Sequence, residues 1–173
     1  MSLCAKKVDS ELEDGLKEFP EIRGILKISK MENVVRVEDA LQANMKDKRY
    51  MDELSLNWKE MISRDVIQIN GVIDNVLSRL QPHPNLKQLS IIKYPGVTFP
   101  DWLGDPSFLN LGSLKLWGCG NCSTLPPLGQ LHCLKLLEIS DMKGVVRVCI
   151  EFYGNSSSSL QPSFPSLQTP IIL

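Results

Sequence analysis

The sequence predicts an α/β solenoid of horseshoe shape, with a parallel β-sheet on its concave face and helices and irregular turns on its convex face. Three observations carry this. One apolar spacing, with two variable residues and then one between its members, falls on Leu86, Leu89 and Ile91, on Leu111, Leu114 and Leu116, and on Leu134, Leu137 and Ile139. The first members stand 25 and then 23 residues apart, inside the period of roughly 20–29 residues of a leucine-rich repeat. The connections between them, Tyr94 to Leu103 and Leu125-Pro126-Pro127-Leu128-Gly129, are rich in proline and aromatics and suit tight turns rather than long helices.

The spacing carries a physical meaning. Successive side chains of an extended segment point to opposite faces, so Leu114 and Leu116 go to one side while Lys115 and Trp117 go to the other. A single unit cannot cover its own apolar row. Stacked copies bury those rows as one continuous core and display the intervening residues on a shared curved sheet.

Taken in order, residues 1–20 form a polar N-terminal segment in which Glu11 to Leu16 reads as one short helix. The repeat domain is expected over 21–173, with strands near 26–28, 54–56, 89–91, 114–116 and 137–139 and an incomplete repeat near 167–173. Val37 to Arg49 reads as a helix: Val37, Leu41 and Met45 recur four apart, acidic Glu38 and Asp39 begin it, and Lys46, Lys48 and Arg49 end it, which opposes the helix dipole at both termini. A second apolar stripe, Val72, Ile73, Val76, Leu77 and Leu80, predicts a convex-side helix stopped by Pro82. Ser156 to Ser159 reads as a flexible polar loop. Phe164-Pro165-Ser166-Leu167 reads as the approach to one more strand, with Pro170 at its second apolar position. A solenoid end without a polar cap leaves apolar surface open, so reduced solubility is expected.

Composition narrows the function classes. Apolar residues make up 43% of the 173, enough for a substantial core, and 19 basic residues against 20 acidic ones give a net charge of −1. That balance gives no general attraction to nucleic acid or to an anionic membrane. The amino terminus is broken by charge before an apolar run develops, and no run approaches the roughly 18 apolar residues of a membrane span. The expectation is a cytoplasmic chain whose five cysteines are reduced.

Several segments carry a family resemblance. Leu114-x-Leu116-x-x-Cys119-x-x-Cys122-x-x-Leu125-Pro126-Pro127-Leu128-Gly129-x-Leu131 is accompanied, in order, by Met31-Glu32-Asn33-Val34, Leu54-x-Leu56-x-Trp58, Pro82-His83-x-Asn85-Leu86-Lys87-x-Leu89, Phe99-Pro100-x-Trp102-Leu103, Glu151-Phe152-Tyr153-Gly154 and Phe164 to Leu167. Together they resemble the repeat region of plant intracellular disease-resistance proteins with a coiled-coil, nucleotide-binding and leucine-rich-repeat layout. The resemblance implies a non-enzymatic protein-recognition module in plant defence. Its partner would be a pathogen effector, a guarded host protein, or a receptor's nucleotide-binding domain that it holds inactive. No G-x-x-x-x-G-K-[ST] phosphate loop occurs in the sequence, and His132 and Pro170 depart from the family pattern. These features suggest a fragment without the nucleotide-binding module, and a non-functional receptor remnant is an alternative reading.

No catalytic, cofactor or metal site is expected from the residues. Cys119-Gly120-Asn121-Cys122 is a lone CxxC, the basis of an alternative metal- or redox-active reading. Cys119 however stands eight residues after Leu111, where the repeat turns a small polar side chain inward. His83, between Pro82 and Pro84, reads as a turn residue. Asn121-Cys122-Ser123 and Asn155-Ser156-Ser157 match the glycosylation pattern without a secretory signal to use it. The candidate protein-binding face is the displayed row: Trp58, Lys87, Gln88, Ser90, Lys115, Trp117, Lys135 and Glu138, with Trp117 foremost because a large exposed aromatic can supply much of an interface's energy.

Overall fold

The structure, a computed structural model, describes residues 6–9, 22–59, 70–146, 148–154 and 163–168. Among the described residues six parallel strands run in sequence order: β1 (Lys6–Asp9), β2 (Gly24–Ser29), β3 (Met51–Asn57), β4 (Gln88–Ile92), β5 (Ser113–Trp117) and β6 (Leu136–Ser140). The five expected strands are present. β1 lies within the segment read as polar, where four residues offered no periodicity to detect, and it pairs with β2 from Lys6 opposite Leu26 to Asp9 opposite Ser29.

Register makes the apolar triplets coincide across the sheet. Leu26, Leu54, Leu89, Leu114 and Leu137 form one row, and Ile28, Leu56, Ile91, Leu116 and Ile139 form the next. All are buried and belong to one continuous core. The first residue of each triplet is buried as well, and the amide after it bonds one repeat back. Lys87 N–H donates to Asp52 O at 2.9 Å, Gly112 to Lys87 at 2.9 Å, Lys135 to Gly112 at 2.9 Å, and Gln168 to Lys135 at 2.8 Å. Leu167 thus holds the phase of Leu86, Leu111 and Leu134, and residues 163–168 open a further repeat. The expected loop at Ser156–Ser159, the short helix at 11–16 and the end of the repeat at 169–173 lie outside the described residues.

Behind the sheet stand α1 (Val37–Gln42) and α2 (Asn70–Arg79), packed on each other. The helix expected over 37–49 ends early. Asn44 takes a left-handed φ of 45° and a 3₁₀ turn, Met45–Asp47, follows. The inward face is accordingly Ala40, Ala43 and Met45, while Leu41 is exposed. Asp39, also buried, accepts two hydrogen bonds from the Arg36 guanidinium at 2.9 and 3.2 Å, so its role is side-chain pairing as well as the helix dipole. In α2 the predicted residues Ile73, Val76 and Leu77, with Leu80 beyond, are buried. From Asp101 onward the convex segments shorten to 3₁₀ turns, Asp101–Gly104, Leu128–Gln130 and Ile150–Tyr153. Aromatics fill the space under the arc: Trp58 meets Tyr94 edge-on at 5.2 Å, and Trp102, which donates its indole N–H to Leu77 O at 3.2 Å, lies 6.3 Å from Phe108.

Candidate functional site

The strand residues between the leucines form three rows on the concave face. One is Ile25, Glu53, Gln88, Ser113 and Leu136. The middle row is Lys27, Ser55, Ser90, Lys115 and Glu138, and the third includes Asn57, Ile92, Trp117 and Ser140. Gln88, Ser90, Lys115, Trp117 and Glu138 therefore share one surface, and exposed Lys87 and Lys135 sit at equivalent positions just before β4 and β6. Neighbouring charges neutralise each other. Lys115 Nζ stands 2.6 Å from Glu138 Oε1 on the adjacent strand, and Lys87 Nζ 2.7 Å from Asp52 Oδ1. Serines lie between the charged positions, so the middle of the face is low in relief.

Trp58 does not belong to this surface. Its side chain is 2% exposed and packs under the sheet against Tyr94. It shares the parity of Leu54 and Leu56, which already points it inward. Trp117 keeps 37% exposure at the end of β5, with the Lys93 ammonium 5.5 Å from the centre of its ring.

The strand ends reveal a second periodic position. The residue immediately after β2, β4, β5 and β6 is left-handed: Lys30 (φ 59°), Lys93 (φ 55°), Gly118 (φ 71°) and Asp141 (φ 53°). The residue after each then turns inward: Met31, Tyr94 and Cys119 are buried, and Met142 packs against the core. Trp58, in the equivalent phase after β3, is not left-handed, and its own side chain fills the core instead. Lys93, Gly118 and Asp141 are spaced as the leucines are, so carrying the repeat's phase one residue past the strand finds them. They line one side of a groove of about 490 Å³ with Tyr94, Pro95, Trp117, Gly120, Asn121 and Lys143. Beyond Trp117, these were not among the displayed residues expected from the sequence.

The two cysteines lie beneath this rim. Cys119 and Cys122 are fully buried and not disulfide-bonded. The Cys122 thiol donates to Gly96 O at 3.3 Å, and Cys119 lies 3.8 Å from Ile91 O and 3.7 Å from Trp117 O. Burial pushes the Cys119 thiol up to about 12 and the Cys122 thiol further in the same direction. Since the thiolate is the nucleophile and metal ligand, this environment opposes the metal- or redox-active reading. Among the described residues no group of three or more His, Cys, Asp or Glu could hold a metal ion. Cys119 acts as a plug, in the place Tyr94 takes one repeat earlier. His83 is a turn residue, its Nδ1 accepting the Asn85 N–H at 3.1 Å.

A parallel sheet built from in-phase leucine triplets, with short convex connections, defines a leucine-rich-repeat protein. The chain belongs to the family described as R13L1/DRL21 LRRs, whose pattern matches residues 14–142. It is 36% identical over 156 residues to the disease resistance RPP13-like protein 1 of Arabidopsis thaliana, covering 86% of this chain and 15% of that protein. It is 33% identical over 149 residues to the disease resistance protein RGA2 of Solanum bulbocastanum, covering 84% of this chain and 15% of the relative. Another disease-resistance relative in Arabidopsis thaliana is 39% identical over 157 residues, which cover 88% of this chain and 11% of its own length. The chain thus spans less than a sixth of the length of these relatives. No solved structure matches it. Among the described residues no helix is long and apolar enough to cross a membrane. The chain is a leucine-rich-repeat module of the plant disease-resistance class.

Proposed function

We propose that this module acts in the cytoplasm as a non-enzymatic recognition surface. Its concave face contacts a pathogen effector, a guarded host protein or the nucleotide-binding domain of a receptor. The observation that carries this reading is the displayed sheet itself. Five adjacent strands hold side chains in register on a continuous core, with charges paired and one large aromatic, Trp117, half-exposed among them. A preorganised surface loses little side-chain freedom on association, and an aromatic beside lysines suits an interface anchor.

The test begins with an interaction screen using the chain as bait, followed by binding measurements on each partner recovered. The triple variant Lys87→Glu, Lys115→Glu, Trp117→Ala should weaken binding at least about tenfold while its unfolding midpoint stays close to the parent's, since exposed ion pairs contribute only about 0–1 kcal/mol each. Unchanged affinity for every partner overturns the reading.

A further inference from the structure

Resting on the concave-face reading, we infer that the part of that face made by β4, β5 and β6 takes an extended, uncharged segment of a partner protein, whose two apolar side chains, four residues apart, sit on Trp117 and Leu136. These three strands, of five residues each, hold two charges, Lys115 and Glu138. Register sets the two opposite each other, and Lys115 Nζ stands 2.6 Å from Glu138 Oε1. Trp117 and Leu136 are large apolar side chains left 37% and 41% exposed, and Ile92, in register with Trp117, is half-buried beside it. Leu136 shares its row with Ser113, four residues before Trp117. At about 3.3 Å per residue the two apolar positions are therefore about 13 Å apart along the strand direction, with the ion pair between them.

This layout selects the occupant. In an extended segment the side chains two and four residues on point the same way as the first, so apolar groups at the first and fifth positions match the spacing of Trp117 and Leu136. The third position then falls over the Lys115–Glu138 pair. An acidic side chain there would draw Lys115 from Glu138 and bring two carboxylates together, and a basic one would set two ammonium groups together. Either exchanges one short pair for another and desolvates a third charge. A side-chain amide donates to the carboxylate, accepts from the ammonium and leaves the pair intact. Neutrality is thus the complement of this part of the sheet. It does not extend across the whole face, since β2 displays Lys27 and β3 displays Glu53.

The probe is the peptide acetyl-Gly-Leu-Ser-Asn-Ser-Leu-Gly-amide, titrated into the isotope-labelled full chain while the Trp117 indole N–H and the Leu136 methyls are followed, their signals assigned with Trp117→Phe and Leu136→Val. Two counterparts carry aspartate or lysine at the central asparagine, and a third moves the second leucine one residue closer to the first. Saturable shifts are expected at both positions, with each counterpart binding at least about tenfold more weakly. Lys115→Gln should turn the central preference to lysine, and Glu138→Gln should turn it to aspartate, a change that a purely apolar contact would not show. The inference is overturned by equal affinity for the three central residues, by equal affinity for the closer leucine spacing, by no saturable shift at Trp117 and Leu136, or by a central preference that neither single variant moves. Concentration-dependent dimerisation in sedimentation, abolished by Trp117→Ala, would give the face to a second copy of the chain and overturn it as well. Each of these outcomes leaves the concave-face reading standing wherever the triple variant still loses its recovered partners, so the two can fail separately.

Discussion

The two halves of the solenoid solve the same problem differently. From Leu26 to Leu54 to Leu89 the core row advances by 28 and 35 residues, and the extra chain forms α1 and α2 on the convex side. From Leu89 to Leu114 to Leu137 it advances by 25 and 23, and the convex side holds only 3₁₀ turns and prolines. Strands pack about 4.8 Å apart, whereas helices pack about 8–10 Å apart. The helical half must therefore fan out behind its strands, and the short half can stack closely. The difference teaches that sheet regularity does not depend on the convex architecture, while tolerance to substitution on the convex side does.

The largest expected effect lies in the part that the halves share. Leu114 is fully buried, in register between Leu89 and Leu137, so Leu114→Ala should cost about 2–5 kcal/mol in urea denaturation through lost burial and a residual cavity. Because repeats touch only their neighbours, amide exchange should accelerate first in β5 and the adjoining β4 and β6, and least in β2. Uniform acceleration from β2 to β6 would show that the halves form one cooperative unit and remove the distinction.

What was legible in the sequence follows the same division. The leucine triplets are periodic signals of burial, so the strands and the inward rows from Leu26 to Ile139 could be read directly. β1 was invisible because four residues carry no period, and α1 was overextended because a left-handed Asn44 leaves no mark in an apolar count. Trp58, expected on the displayed face, is buried because it shares the parity of Leu54 and Leu56. The groove leaves no residue signature, because three different residues, Lys93, Gly118 and Asp141, occupy one backbone conformation. Their shared phase is legible, but only glycine advertises a left-handed φ by its identity.

An alkaline titration sharpens the comparison, since the short half packs thiols where β2 and β3 are followed by Met31 and Trp58. Burial pushes the Cys119 thiol of the folded state up to about 12, above the ordinary thiol range, and raises Cys122 in the same direction. The folded state thus holds protons that the unfolded chain releases, so this contribution to stability is intact below about pH 9 and is lost as pH rises towards 12. Urea midpoints should fall over that window, and less steeply in Cys119→Ala relative to its own neutral-pH value. At pH 8 a maleimide should modify exposed Cys133 well before Cys119 or Cys122, as read by peptide mass mapping. Modification of all three at equal rates would mean that the rim opens readily and that the short half is not closely stacked.

The smallest effects test the convex sides themselves, with one substitution in each half. A Cβ at Gly129, in the Leu128–Gln130 turn, would collide with the Tyr153 carbonyl oxygen, a backbone atom held between the 3₁₀ turns of successive repeats. Gly129→Ala should therefore destabilise by about 1–3 kcal/mol, the range for overpacking. Gly71 lies in the first turn of α2 with nothing within 4 Å of an added Cβ and no positive φ. Gly71→Ala should stabilise by up to about 0.5–1 kcal/mol, because alanine loses less backbone freedom on entering a helix. The opposite signs are the decisive part, since both substitutions add one methyl to a convex segment. Chemical denaturation of the two variants beside the parent measures both, and the same sign for both would mean that close stacking is not confined to the half built from short turns.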